Sequence, residues 1–252
     1  MRTFDPKRAF LGKWGMAALR LISVIALPAN LGKQCDFWML CYRIVEFTAR
    51  RIAMFEVRSA RPGDIEGAVT ALGEAFDQDP LMLYLFRENP NGVRAGAMEF
   101  FSILLRARIA LGMPAYVLQQ ADGVPGAAMG YDTSRPVWPA ALAREWRQFE
   151  LGVPGFAARL AAYEKICEAH QPSQDHYYLG VIGVHPSLQG KGAGKALLDA
   201  FCARSCADPR SHGVYLDTCN LGSLQFYHNK GFELRGEGSL DATRLWCVYK
   251  RA

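Results

Sequence analysis

The stretch that most constrains this chain runs from Tyr177 to Ala207. Tyr177 to Val184 is apolar without polar alternation and reads as a strand, and the residues from Gly192 to about Ala207 read as a helix. Between them lies Gln189-Gly190-Lys191-Gly192-Ala193-Gly194. Three glycines at alternate positions let the backbone turn tightly at a helix start, so that several unpaired N–H groups point at one anion. Lys191 and Lys195 add positive charge beside it. A plain glycine-rich turn is the simpler alternative.

Spacing removes two nucleotide motifs. A Walker loop needs glycine five residues before Gly194 and Ser or Thr after Lys195, but this chain has Gln189 and Ala196. A dinucleotide fingerprint needs glycine where Lys195 stands. What remains is Gln189-x-x-Gly192-x-Gly194 directly after a strand that ends Val184-His185-Pro186. About thirty-five residues later comes Asn220-x-x-Ser223-x-x-x-Tyr227-x-x-x-Gly231-Phe232.

These two segments resemble the pyrophosphate loop and the Asn-x-x-Ala-x-x-x-Tyr-x-x-x-Gly-Phe segment of the GNAT superfamily of N-acetyltransferases, with Ser223 in place of the alanine. The resemblance is nearest to the puromycin N-acetyltransferase type. It is carried by Val184-His185-Pro186, Gln189 to Gly192, Phe226-Tyr227 with Gly231-Phe232, and Trp246-Cys247, and more weakly from Val57 through Ala75-Phe76 and the long middle helix. The acceptor-side residues match that type poorly. The resemblance implies an α/β domain with a mixed central sheet of about six or seven strands, splayed between the fourth and fifth and flanked by helices. It implies acetyl-CoA as co-substrate, with no metal, and a primary amine as acceptor.

The rest of the chain suits that outline. Phe55 onward reads as a short strand, then a helix from Asp64, its cap, to Ala75. Asp79-Pro80 breaks the pattern ahead of a short helix over Leu81 to Phe86 and a longer one over Val93 to Leu111. Tyr116 to Gln120 and Gly126 to Tyr131 form a hairpin through Asp122-Gly123. Residues 139–169 suggest two helices parted by Gly152-Val153-Pro154-Gly155, a lid or wall. Val214 to Thr218, a helix over Ser223 to Lys230, and closing strands Phe232 to Glu237 and Arg244 to Tyr249 complete the series.

The resemblance implies that Ile182, Gly183 and Val184 offer backbone groups to the pantetheine arm. Glycines inside that strand, Gly180 and Gly183, point to a bulge or a close backbone approach, with ordinary strand packing as the alternative. It further implies that Gln189, Gly190, Lys191, Gly192, Ala193, Gly194 and Lys195 hold the pyrophosphate, that Asn220 and Ser223 lie on the cofactor, and that Tyr227 serves as general acid. A phenol is protonated at neutral pH and can donate; a packed helix aromatic is the alternative. The amine must lose a proton, but no single base stands out: Asp217, His176, Asp175 and Glu168 all lie near in sequence, each equally readable as a surface or capping residue. His185 reads as ordering the turn before Pro186. Phe76, Asp77, Asp79, Tyr84, Phe86 and Arg87 lie where family members contact the acceptor, though core and solvated surface explain them equally.

Charge separates the chain into two parts. The formal net charge is +5, but residues 1–53 carry nine Lys/Arg against three Asp/Glu, leaving −1 for residues 54–252. A near-neutral body lacks the footprint of a nucleic-acid binder, so no nucleic-acid partner is expected. The apolar stretch at 14–31 is interrupted by Arg20 and is too short to span a bilayer. It suits an amphipathic segment in weak contact with a membrane surface, or an extension preceding a native start at Met54. The expected division is therefore an extension over 1–53 and an acetyltransferase domain over 54–252, in the cytoplasm. Seven cysteines without a C-x-x-C pair read as reduced thiols. Two other classes remain open: an acyl-CoA-binding regulatory module without turnover, and an acetyltransferase acting on a protein or aminoacyl-tRNA amine. The sequence does not fix the oligomeric state.

Overall fold

The computed structural model describes residues 55–252. The expectations placed on residues 1–53, membrane contact and a start at Met54 among them, lie outside the described residues. The elements run β1 (Glu56–Ser59), α1 (Ile65–Ala75), α2 (Pro80–Phe86), α3 (Val93–Ala110), β2 (Ala115–Gln119), β3 (Gly126–Tyr131), α4 (Ala140–Gly152), α5 (Phe156–His170), β4 (Tyr177–Val184), α6 (Ala193–Ala207), β5 (Gly213–Thr218), α7 (Leu221–His228), β6 (Glu233–Leu240) and β7 (Thr243–Arg251).

The strands form one seven-stranded sheet in the order β1-β2-β3-β4-β5-β7-β6. Every pairing is antiparallel except β4 with β5. Those two meet only at Tyr177 with Val214 and Tyr178 with Tyr215, then part, so the expected splay between the fourth and fifth strands is present.

Side chains leave the sheet alternately. Val117, Ala127 and Met129 join a core with α1 to α5, whereas Leu118 and Ala128 join a second core with α6 and α7 on the other face. Strand β4 breaks the alternation. Leu179 belongs to the second core and Val181, two residues on, to the first. The register explains it: Gly130 opposes Leu179 and Met129 opposes Val181, which leaves Gly180 as the extra residue of a β-bulge. A bulge bends its strand and raises the local twist, and here it stands where β4 leaves β5.

Two local readings change. Asp64 makes no side-chain cap to α1. Its carboxylate instead takes both terminal nitrogens of Arg58, each at 2.7 Å, and the Arg61 N–H at 2.7 Å, tying β1 to the turn. Asp79 is the cap that sequence read only as a break, accepting from the N–H groups of Leu81 and Met82 at 3.0 and 3.3 Å. Helix α7 also begins two residues earlier than its pattern suggested, because the Asn220 side chain accepts from the Ser223 N–H at 3.1 Å and sets the cap there.

Candidate active site

Where β4 departs from β5, its edge on that side has no ladder partner. The His185 N–H donates to the Pro125 carbonyl at 2.8 Å, on the β3 side. Backbone groups alternate sides along a strand, so the N–H groups of Val184 and Ile182 point the other way, into the splay. Gly183 is small for a different reason. A Cβ there would stand 2.8 Å from Phe76 Cε2 and 2.9 Å from Leu72 Cδ2, so the glycine admits α1 against the sheet.

The loop that follows is shaped by two glycines. Gly190 (φ 72°) and Gly192 (φ 89°) occupy the left-handed region that other residues enter at a cost, and a Cβ on either would meet nothing within 4 Å. The loop is therefore open on the side where these residues lack side chains. Gly192 caps α6, and the first-turn N–H groups from Ala193 to Lys195 have no acceptors within the helix. The Lys191 N–H is already engaged, donating to the Leu188 carbonyl at 3.2 Å. Gln189, Gly190, Lys191, Gly192 and Lys195 are exposed, Gly194 is half-buried, and Ala193 is buried. Lys195 pairs along the helix with Asp199. Open space, left-handed glycines and an unsatisfied helix start fit a pyrophosphate held by backbone and lysines. His185 does order its turn, since its Nδ1 accepts from the Ser187 N–H at 3.1 Å; its Nε2 lies 2.6 Å from Glu74.

Beside the splay, a cavity of about 480 Å³ is lined by Gly180, Val181 and Ile182 of β4 together with Asp217, Ser223 and Tyr227. Tyr227 is only 6% exposed and packs against Phe226 and Phe232. Its hydroxyl has no partner among the described residues, and burial, with Asp217 and Asp79 nearby, pushes its phenol up, so it stays protonated at neutral pH.

Asp217 is the site's central acid. Tyr163 of α5 donates to its Oδ2 and Tyr178 of β4 to its Oδ1, each at 2.8 Å, while the two hydroxyls lie 2.9 Å apart. Burial pushes the carboxyl up to about 6, the two phenols hold it down by hydrogen bonding, and Asp79 raises it further. Asp79 also lines the cavity, and burial raises it against its two helix N–H donors.

Of the four possible bases, only Asp217 reaches this cavity. His176 is buried outside it, with Nδ1 on the Gln174 carbonyl at 2.8 Å; Asp175 and Glu168 are exposed. Of the acceptor-side cluster, Phe76 and Asp79 line the cavity, Phe86 is core, and Arg87 pairs with Asp241 at 2.6 Å on the surface. Asn220 is exposed and serves as the α7 cap. Helices α4 and α5 form a wall, for Phe149 and Phe156 are buried in the first core while Trp146, Leu160 and Tyr163 face the cavity. Sequence missed Tyr163, Tyr178 and Arg108, all in the lining, since three separate elements bring them together. No helix among the described residues is long and apolar enough to cross a membrane, and none of their His, Cys, Asp and Glu side chains cluster as a metal site.

An open mixed sheet parted between two parallel central strands, with a glycine-rich helix start beside the parting, matches the GNAT fold. Residues 155–234 match the family model described as an Acetyltransferase (GNAT) domain. This stretch of the chain is thus similar to a GNAT acetyltransferase domain, a family whose chemistry is acyl transfer. The chain's fold is similar to that of a structure described as histone acetyltransferase HPA2 and related acetyltransferase from Corynebacterium glutamicum, with 24% identity, 79% of this chain and 97% of that chain covered, and a TM-score of 0.56. It is similar also to a Drosophila melanogaster polyamine N-acetyltransferase that forms N-acetylagmatine (20% identity, 79% and 100% covered, TM-score 0.56). An agmatine N-acetyltransferase mutant in its apo form is a third (19%, 79% and 100%, TM-score 0.55).

Proposed function

We propose that this protein transfers an acetyl group from acetyl-CoA to the primary amine of a small molecule by direct attack, with Tyr227 as general acid and Asp217 as general base. The observation that carries the reading is that Tyr227 and Asp217 line one cavity at the mouth of the β4–β5 splay. The pyrophosphate falls to Gln189, Gly190, Lys191, Gly192, Ala193, Gly194 and Lys195, and the pantetheine arm to the free edge at Ile182, Gly183 and Val184, with Asn220 and Ser223 flanking it.

Acetyl-CoA supplies an activated acyl carbon; the chain supplies the proton traffic. An alkylammonium has a pKa of roughly 10 and must lose a proton before its nitrogen can form the new C–N bond. A carboxyl near 6 is mostly ionised at neutral pH and a stronger base than an ordinary carboxylate, so Asp217 attracts the ammonium and receives its proton. As the C–S bond breaks, the Tyr227 hydroxyl protonates the departing sulfur. A walled cavity of about 480 Å³ suits a compact acceptor better than a folded protein or a tRNA. The polyamine and agmatine substrates in the structural neighbours' descriptions support an amine acceptor of that size. The likeness to the puromycin type rests on the loop, α7 and Trp246-Cys247 segments, and more weakly on Val57, Ala75-Phe76 and α3.

The test is acetyl-CoA-dependent release of CoA thiol by the full chain across aminonucleosides, polyamines, amino acids and short peptides. Turnover on one class supports the reading. Saturable CoA binding with no thiol release on any of them favours a regulatory module.

A further inference from the structure

The cavity has a second charged feature that acetyl transfer does not use. Arg108, near the end of α3, lines it and is only 6% exposed. Its Nε and Nη1 are buried without a hydrogen-bond partner among the described residues, and no carboxylate of those residues pairs with it. Its guanidinium lies over the Tyr131 ring, 4.1 Å from the centroid, and 5.6 Å from that of Trp138. The other cation near it, Arg135, sits at 5.2 Å on Tyr131 and donates to the Ser134 carbonyl at 2.8 Å. Arg147 of α4 adds further positive charge to the lining.

A buried guanidinium with unmet donors is costly, and aromatic faces offset its charge without accepting its N–H groups. The group that completes such a site is an oxyanion with planar acceptors, for which guanidinium is the fitting partner. The opposite charge is in place too. Tyr131 pairs with Tyr178 across β3 and β4, and Tyr178 donates to Asp217 on β5. Arg108 and Asp217 are thus set apart by about two strand spacings, roughly 10 Å. The neighbours described as acting on polyamine or agmatine offer no reason to expect an anion at that distance.

We infer that the acceptor is a carboxylate-bearing amine, its amine at Asp217 and its carboxylate on Arg108, so that Arg108 is a specificity-determining residue. The inference rests on the acetyl-transfer reading for the amine's role. The span suits an ω-amino acid or a dipeptide, whose charges stand well apart, over an α-amino acid, whose charges are adjacent. The aromatic lining, Phe100, Phe101, Trp138 and Trp146 among it, accommodates the apolar body between the two ends.

Isothermal titration calorimetry on the full chain tests this without relying on turnover. The probes are aminopentanoate, aminohexanoate, aminooctanoate and glycylphenylalanine, each against its amide. At least one acid is expected to bind about 10-fold or more tightly than its amide, the scale of a charge-assisted hydrogen bond. In Arg108→Met, which keeps the apolar stem, that preference should fall to about one while the amide's affinity holds; Arg108→Lys should retain part of it. Equal affinity for every acid and its amide, no binding by any probe, or an acid preference surviving in Arg108→Met overturns the inference. Thiol release from amides and polyamines without acid preference would leave the transferase standing and remove only the carboxylate. Acid-selective binding through Arg108 with no acetyl transfer to any amine would instead remove the transferase and keep the anion site.

Discussion

The Tyr178 hydroxyl donates to Asp217 Oδ1 at 2.8 Å, bridging β4 and β5 at the last point before they part. Beyond that bond the strands have no shared ladder, so this hydroxyl and carboxylate close the inner end of the splay where acyl transfer is proposed. Asp217 is at once part of the line along which the two strands part and the base proposed for the cavity.

Its titration should therefore be visible in the kinetics. With Asp217 needed ionised and its carboxyl near 6, kcat/KM should climb with pH through about 6, since protonation below that point removes the base. Asp217→Asn should lower kcat/KM by about 10²- to 10⁴-fold and abolish that rising limb. A pH profile from thiol release checks both, and a limb unchanged in the variant would assign it to another group.

Tyr227→Phe removes one oxygen from a ring held by Phe226 and Phe232, so the fold should be retained. The expected outcome is a fall of about 10²-fold in kcat with little change in the acetyl-CoA KM. Turnover equal to the parent protein would rule out the acid role and leave Tyr227 as packing.

Gly192→Ala places a Cβ on a residue at φ 89°, at a cost of about 1–2 kcal/mol. Thermal unfolding should show that loss. Because the Cβ would project into open space beside the start of α6, acetyl-CoA KM should rise while acceptor KM holds. A variant with unaltered KM for both would detach the loop from cofactor binding.

Gly130→Ala is a different case, since its Cβ would fall 1.9 Å from the Tyr178 carbonyl oxygen, a backbone atom with no freedom to retreat. The expected loss is about 3 kcal/mol or more, read by denaturant unfolding. Stability within error of the parent would show that β3 and β4 can re-space at the bulge.

Much of this was legible because the signals were local. The alternation of apolar runs with glycine, proline and asparagine placed nearly every element between Phe55 and Arg251, and the spacing from Gln189 to Gly194 marked the helix start. The site was legible only in part. Tyr227 stands on a motif, but Asp217 looked no better than Asp175 or Glu168 until the fold brought Tyr163 and Tyr178 to its two oxygens. Arg108 carried no signal at all. It is one arginine in a helix rich in them, and only burial beside Tyr131 without an acceptor sets it apart from Arg106, which pairs with Glu145. Gly183 could be read two ways, because a glycine needed for α1 packing has the same spelling as one needed for a ligand.

The extra residue at Gly180 makes β4 two short strands spliced head to tail with a slip of phase at the joint. Its leading half is stitched to both neighbours, and its trailing half keeps one neighbour and presents a bare edge. Each half answers to its own parity: Tyr177 and Leu179 supply the face toward α6 before the splice, and Ile182 and Val184 supply it after. Substitutions on either side can therefore drift separately, while deletion of the splice residue would leave every side chain on its present face and remove only the bend that carries β4 away from β5.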